Sequence, residues 1–206
     1  MKKLLYLIMF LFCGVASSVS AQEMRSVFLD APDDIFPMLT KNLRADLVDY
    51  IEARMTAKVT NRLDGTTVLE ELGTNYLKIA STASSNMQLK LLPVQGDTVI
   101  CVVKTVKAEA ADSRICFYDK AWKLLDGGKM FEYPSIRDFF ISPEAADECI
   151  DKCDIYLVSL QLSAADNTLV AEYTMPQYMS KDDVSKVTPL LKKIVYKWNG
   201  ECFVID

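Results

Sequence analysis

The chain has 206 residues, 50% of them hydrophobic, with 23 basic against 28 acidic side chains and no histidine. That apolar content, without a long polar tract, specifies a folded globule. The missing histidines remove histidine metal sites, Ser-His and Cys-His nucleophile pairs and the usual near-neutral proton shuttle, and no basic tract exists to follow a nucleic acid backbone.

The chain opens with "MKKLLYLIMFLFCGVASSVSAQ". Lys2 and Lys3 precede an apolar run from Leu4 to Phe12, which is followed by small residues ending Val19-Ser20-Ala21. This is the pattern of a secretory signal peptide over residues 1–21, cut after Ala21; the run is too short to span a bilayer. Cys13 raises the alternative of a lipid anchor. The residue before it, Phe12, is larger than lipidation favours, so cleavage after Ala21 is preferred. The expected product is exported, periplasmic or extracellular, with no transmembrane segment. Losing Lys2 and Lys3 leaves 21 basic and 28 acidic residues, a net charge of −7.

A first unit is expected over 22–128. "DAPDDIFPML" carries Pro32, Asp33 and Asp34 early, which suits the start of a short helix. Thr40 then caps an amphipathic helix in "KNLRADLVDYIEARM", where Leu43, Leu47, Val48, Ile51 and Met55 recur at helical spacing. From Lys58 to Leu125 the chain breaks into short β-branched and aromatic runs: "TTVLEEL", "NYLKIAS", "NMQLKLLPV", "DTVICVVKTV", "SRICFYD" and "AWKLL". Asp64-Gly65, Gly73 and Gln95-Gly96-Asp97 separate them, as in an antiparallel meander with one face on helices.

A second, shorter unit is expected over 129–206, sharing the sheet or core. Ser142-Pro143-Glu144 is an N-cap, an N1 proline and a first-turn acid, opening a helix Glu144 to Lys152. The runs "DIYLVSLQLS", "NTLVAEYTM", "LLKKIVYKW" and "CFVID" read as strands, with Asn199-Gly200 as a two-residue hairpin turn and a polar interruption before "LLKKIVYKW". Thr40 with Ser142, Leu47 with Cys149, and Ile51 with Cys153 stand in equivalent places. So do Tyr76-Leu77 with Tyr156-Leu157, and Ile115 with Ile194. The expected fold class is α+β, a degenerate tandem repeat whose units each lay a helix or helix pair on an antiparallel sheet.

Five cysteines follow Ala21: Cys101, Cys116, Cys149, Cys153 and Cys202. A hairpin carrying Cys101 and Cys116 makes that pair the disulfide candidate, with buried free thiols as the alternative. Cys149 and Cys153, one helical turn apart, read as packed small residues. Too few ligands remain for zinc, so no metal and no cofactor is expected. Carboxylate pairs are the catalytic option left to a chain without histidine. Asp46 with Asp49 and Glu148 with Asp151 are the pairs to consider, although each lies on the polar side of a capped helix. No catalytic residue is assigned. The stretch "EYTMPQYMSKDDVSKV" places Tyr173, Met175, Tyr178 and Met179 around Pro176, a composition used by adaptable binding surfaces, so these four are the partner-binding candidates. The alternative is a strand end whose aromatics cover the sheet.

"PMLTKNLRADLVDYIEARMTAKVTN" resembles a family of secreted Bacteroidales proteins known as a domain of unknown function. Leu39-Thr40-Lys41-Asn42, Asp46, Asp49 and Ala57-Lys58-Val59-Thr60-Asn61 carry the likeness, and "NYLKI" and "ICFYDKAWKLL" are similar to its strand segments. The resemblance implies secretion and brings no activity. A tandem helix-plus-sheet chain also resembles the β-lactamase-inhibitor-protein-like architecture, in which a sheet face is offered to a partner. The expected function is therefore a secreted, non-catalytic module binding an envelope protein or glycan. The alternatives are a carboxylate-dependent hydrolase and a structural envelope component.

Overall fold

The computed structural model describes residues 23–206. The expected signal peptide and Cys13 lie outside them. The fold is α+β, with two antiparallel sheets. Helix α1 (Glu23–Asp30) buries Met24 and Phe28, four residues apart on one face. Helix α2 (Lys41–Glu52) is capped as expected: the Leu43 N–H donates to Thr40 Oγ1 at 3.3 Å, and Leu47 and Val48 are buried.

The segment between the helices forms turns instead of the expected helix. Arg44 explains why. Its side chain is 2% exposed, and the guanidinium donates to Ala31 O at 2.7 Å, to Leu39 O at 3.0 Å and to Asp33 Oδ1 at 3.2 Å. Main-chain carbonyls that a helix would have used internally are turned to a buried cation, which compensates its desolvation.

The first sheet is a six-stranded meander in chain order: β1 (Lys58–Thr60), β2 (Thr66–Leu72), β3 (Tyr76–Thr82), β4 (Ser85–Val94), β5 (Asp97–Lys107) and β6 (Ala111–Tyr118). The long central strands β4 and β5 are buried on both faces. Leu89, Leu91, Ile100 and Val102 face α1 and α2, packing with Met24, Phe28, Leu47 and Val48. Leu92, Val99, Cys101 and Val103 point to the opposite face and join the core of the second half. One sheet thus serves two cores, and the period-2 alternation decides which residue enters which.

The second half supplies α3 (Pro143–Cys149), with the Ala145 N–H donating to Ser142 Oγ, and a 3-10 turn from Ile150 to Lys152. Its sheet has strands β7 (Val158–Leu162), β8 (Thr168–Tyr173), β9 (Ile194–Trp198) and β10 (Phe203–Ile205), in the order β10-β9-β8-β7. The polar interruption contains a further helix, α4 (Lys181–Val187), opened by Ser180, whose Oγ accepts from the Asp183 N–H.

The two halves do not repeat strand for strand. Between Tyr76 and Ile115 the chain passes β4 and β5; between Tyr156 and Ile194 it passes β7, β8 and α4. "AWKLL" is no strand: Trp122 sits in a turn at φ 61°, and one isolated bridge, Tyr118 to Leu124, is all the pairing there. Trp198, by contrast, is the last residue of β9. The β9–β10 connection has four residues, since Trp198 pairs with Phe203, and the Asn199 amide oxygen accepts from the N–H groups of Glu201 and Cys202. Isoleucine, any residue, then an aromatic is what any strand with one buried face produces, so the phrase carries no unit boundary.

Candidate functional site

The second sheet has two unlike edges, and the difference locates the site. At the β7 edge, alternate N–H groups that would otherwise be unpaired meet side chains of the first sheet. Val158 donates to Asp112 Oδ1 at 3.4 Å, Leu160 to Ser113 Oγ at 3.0 Å and Leu162 to Gln88 Oε1 at 2.9 Å. Ser113 is positioned by Thr105, 2.9 Å away, and Gln88 by the Tyr76 hydroxyl at 3.3 Å. Buried Lys90 reaches past them to Asn75 Oδ1 and Ala164 O, both at 3.3 Å, and desolvation lowers its pKa from 10.5. This edge is closed.

The β10 edge is different. Phe203 donates its N–H outward to Met130 O, and the Asp206 N–H turns inward to Val195 O. By strand alternation Ile205 points its N–H and C=O outward, and neither has a backbone partner among the described residues. A cleft of about 690 Å³ lies on one side, lined by Arg137, Ile141, Lys192, Val195 and Ile205 among others. Another of about 680 Å³ lies along the segment Gly128–Ser135. Ile141, Val195, Val204 and Ile205 are all exposed there, Ile205 at 66%. Val195 pairs with Val170 on the sheet's open face, flanked by the ion pairs Lys193–Glu172 at 2.8 Å and Lys197–Asp206 at 2.6 Å. Arg137 is held by Asp147 at 2.6 Å, and no carboxylate pairs with Lys192 among the described residues. Aliphatic side chains bordered by ion pairs and by Lys192 can take an extended polar chain through backbone groups and an apolar substituent in the clefts.

The residues singled out from sequence fall elsewhere. Tyr173 and Met175 are buried; the tyrosine hydroxyl donates to Ile155 O at 2.7 Å and its ring stacks on Phe139. Met179 packs partly against the same core, and Tyr178 alone is exposed. The four do not form one surface, because the strand period sends Tyr173 inward and the turn at Met175–Tyr178 folds back on the sheet. Cys101 and Cys116 do not bridge. The register pairs Cys101 with Phe117 and Cys116 with Val102, so the two thiols point to opposite faces, and all five described cysteines are free. Asp46, Asp49, Glu148 and Asp151 are each exposed. Where carboxylate pKa values move, at Asp97, Glu144, Asp166 and Asp183, they move down, through hydrogen bonds from Lys120, from the Glu144 backbone, from Thr168 and from Lys152 respectively.

The site's own residues were missed, although Val195 and Val204 gave a signal. They occupy solvent-facing positions of strands whose neighbours Ile194, Tyr196 and Phe203 are buried. Nothing in the sequence brings Ile141 and Arg137 beside them.

No curated protein matches the chain significantly. Among solved structures it is similar to a domain of an uncharacterized protein from Porphyromonas gingivalis W83, at 26% identity and a TM-score of 0.77, covering 90% of this chain and 98% of that one. Residues 16–203 match the model described as Protein of unknown function (DUF3256), and the chain belongs to that family.

Proposed function

We propose that the protein is an exported, non-catalytic binding module of the bacterial envelope, and that its partner, an envelope protein or glycan, docks at the open β9–β10 end of the second sheet. The observation that carries this reading is the asymmetry of the sheet edges: three side-chain caps close β7, whereas β10 is tied down only at Phe203, leaves the backbone groups of Ile205 open and lies between two clefts. Proteins normally blunt such edges, and an exposed edge with aliphatic neighbours marks an interaction site. The hydrolase alternative needs one carboxyl group shielded and held protonated beside an ionised one. The candidate acids are solvated and the shifted carboxylates are shifted the wrong way, which favours binding over hydrolysis.

The test is capture from envelope extract by the chain lacking residues 1–21, with Val195→Lys/Ile205→Lys beside wild type. A control, Leu63→Lys, alters an exposed leucine elsewhere. The double variant is expected to lose the specific partner while the control keeps it. Equal capture by all three proteins would refute the assignment.

A further inference from the structure

On the other side of the molecule, beneath the turns that replace the expected helix, lies a smaller cavity of about 200 Å³. Its walls are apolar: Ile35, Phe36 and Met38 from the turn segment, Met87 from β4 and Val106 from β5. Lys104 also lines it, and no carboxylate pairs with this lysine among the described residues. Strand alternation places Lys104 and Val106 on the face that carries Ile100 and Val102, towards the turn segment. Val106 is 61% exposed and marks the mouth.

The cavity is preformed. Arg44 fixes the turn segment at both ends, through Ala31 O and Leu39 O, so Phe36 and Met38 are held as a wall. The floor is equally fixed, since Asn61 Nδ2 donates to Thr67 Oγ1 and Thr67 donates to Ser81 O. Thr67 Oγ1 and Ser81 O are thus already bonded to each other, and Ser85 Oγ to Thr82 Oγ1 at 2.7 Å, so these groups leave mainly van der Waals contact to a guest. A cavity of about 150 Å³ holds one benzene. One of 200 Å³ therefore takes a single short apolar chain or a body slightly larger than one ring.

We infer that this cavity binds the apolar tail of a small monocarboxylate, a medium-chain fatty acid, with Lys104 facing its headgroup. Charge complementarity selects an anion: the lining contains one charged side chain, a cation without an ionic partner, in a chain whose overall balance is acidic. Methionine on both walls suits an aliphatic chain, since its unbranched side chain fills irregular space around different ligands. The inference does not rest on the β10 reading.

The probe is octanoate, titrated into the chain lacking residues 1–21 with its methionine methyl groups labelled for NMR. Met38 and Met87 are expected to shift in a saturable way while the other methionines stay still. Lys104→Gln should weaken binding about fivefold, the most that losing one exposed ion pair allows. Ser85→Phe should abolish it by filling the cavity, with the remaining methionine signals showing that the variant is folded. Octanol, equally apolar but neutral, should bind more weakly than octanoate. Shifts spread over all methionines, indifference to Ser85→Phe, or octanol binding as tightly as octanoate would each overturn the assignment. Loss of partner capture at β10 in the earlier test would leave these outcomes unchanged.

Discussion

Leu162 donates its backbone N–H to Gln88 Oε1 at 2.9 Å across 74 residues of sequence. One side chain on β4 thereby stands in for a missing strand at the β7 edge and joins the two sheets. The arrangement satisfies the edge N–H without extending the sheet.

Gln88→Leu keeps comparable size and removes the acceptor, leaving the Leu162 N–H buried and unpaired. A loss of about 1–3 kcal/mol is expected in denaturant unfolding. A change within a few tenths of a kcal/mol would mean that the contact between the sheets does not depend on this cap.

Arg44→Met should cost more, about 2–4 kcal/mol, because two buried carbonyls lose their donor together. The same denaturation curve reads it, and octanoate binding should weaken in parallel as the wall formed by Phe36 and Met38 loosens. Wild-type stability in this variant would contradict the clamp.

Lys90 and the tyrosines make opposite predictions about alkaline stability. Desolvation lowers the Lys90 pKa from 10.5, so between its folded value and 10.5 the unfolded chain binds more protons and stability rises with pH. Burial raises Tyr76, Tyr156 and Tyr196 to about 12, and raises Tyr173 as well. These groups stay neutral in the fold after the unfolded chain has lost their protons above pH 10, so their contribution falls as pH climbs. The expected net result is alkaline unfolding above about pH 10. In Lys90→Met the opposing rise should vanish, so wild type minus variant should climb with pH. A flat difference would place Lys90 in water.

Thiol counting in denaturant should find five reactive cysteines in the chain from Gln22 onward, as all five are free. In the native protein Cys116 and Cys202 should react first, being partly exposed, while Cys101, Cys149 and Cys153 lag behind. Burial raises the Cys101 thiol well above its ordinary pKa and raises Cys153 too, slowing both further. Three reactive thiols in denaturant would require a bridge that the β5–β6 register forbids.

The sequence alone determined whatever depends on a few neighbouring residues. Thr40 and Ser142 cap helices because a hydroxyl at that position reaches an N–H three residues on. The runs from Thr66 to Tyr118 became β2 to β6 because each is a short apolar, largely β-branched or aromatic stretch bounded by turn residues. The α+β class follows from these local signals. Tertiary structure decided what lies between them. Arg44, with the pattern of a polar helical position, became a buried clamp that unwound the segment before it. Hairpin register, a matter of one residue, sent Cys101 and Cys116 to opposite faces. The strand period that turned Tyr173 inward also left Val195 outside, yet only the packing of β7 against the first sheet closed one edge and left Ile205 open at the other. Which edge is covered depends on contacts 46 to 74 residues apart, Gln88 with Leu162 the longest, and no local pattern encodes them.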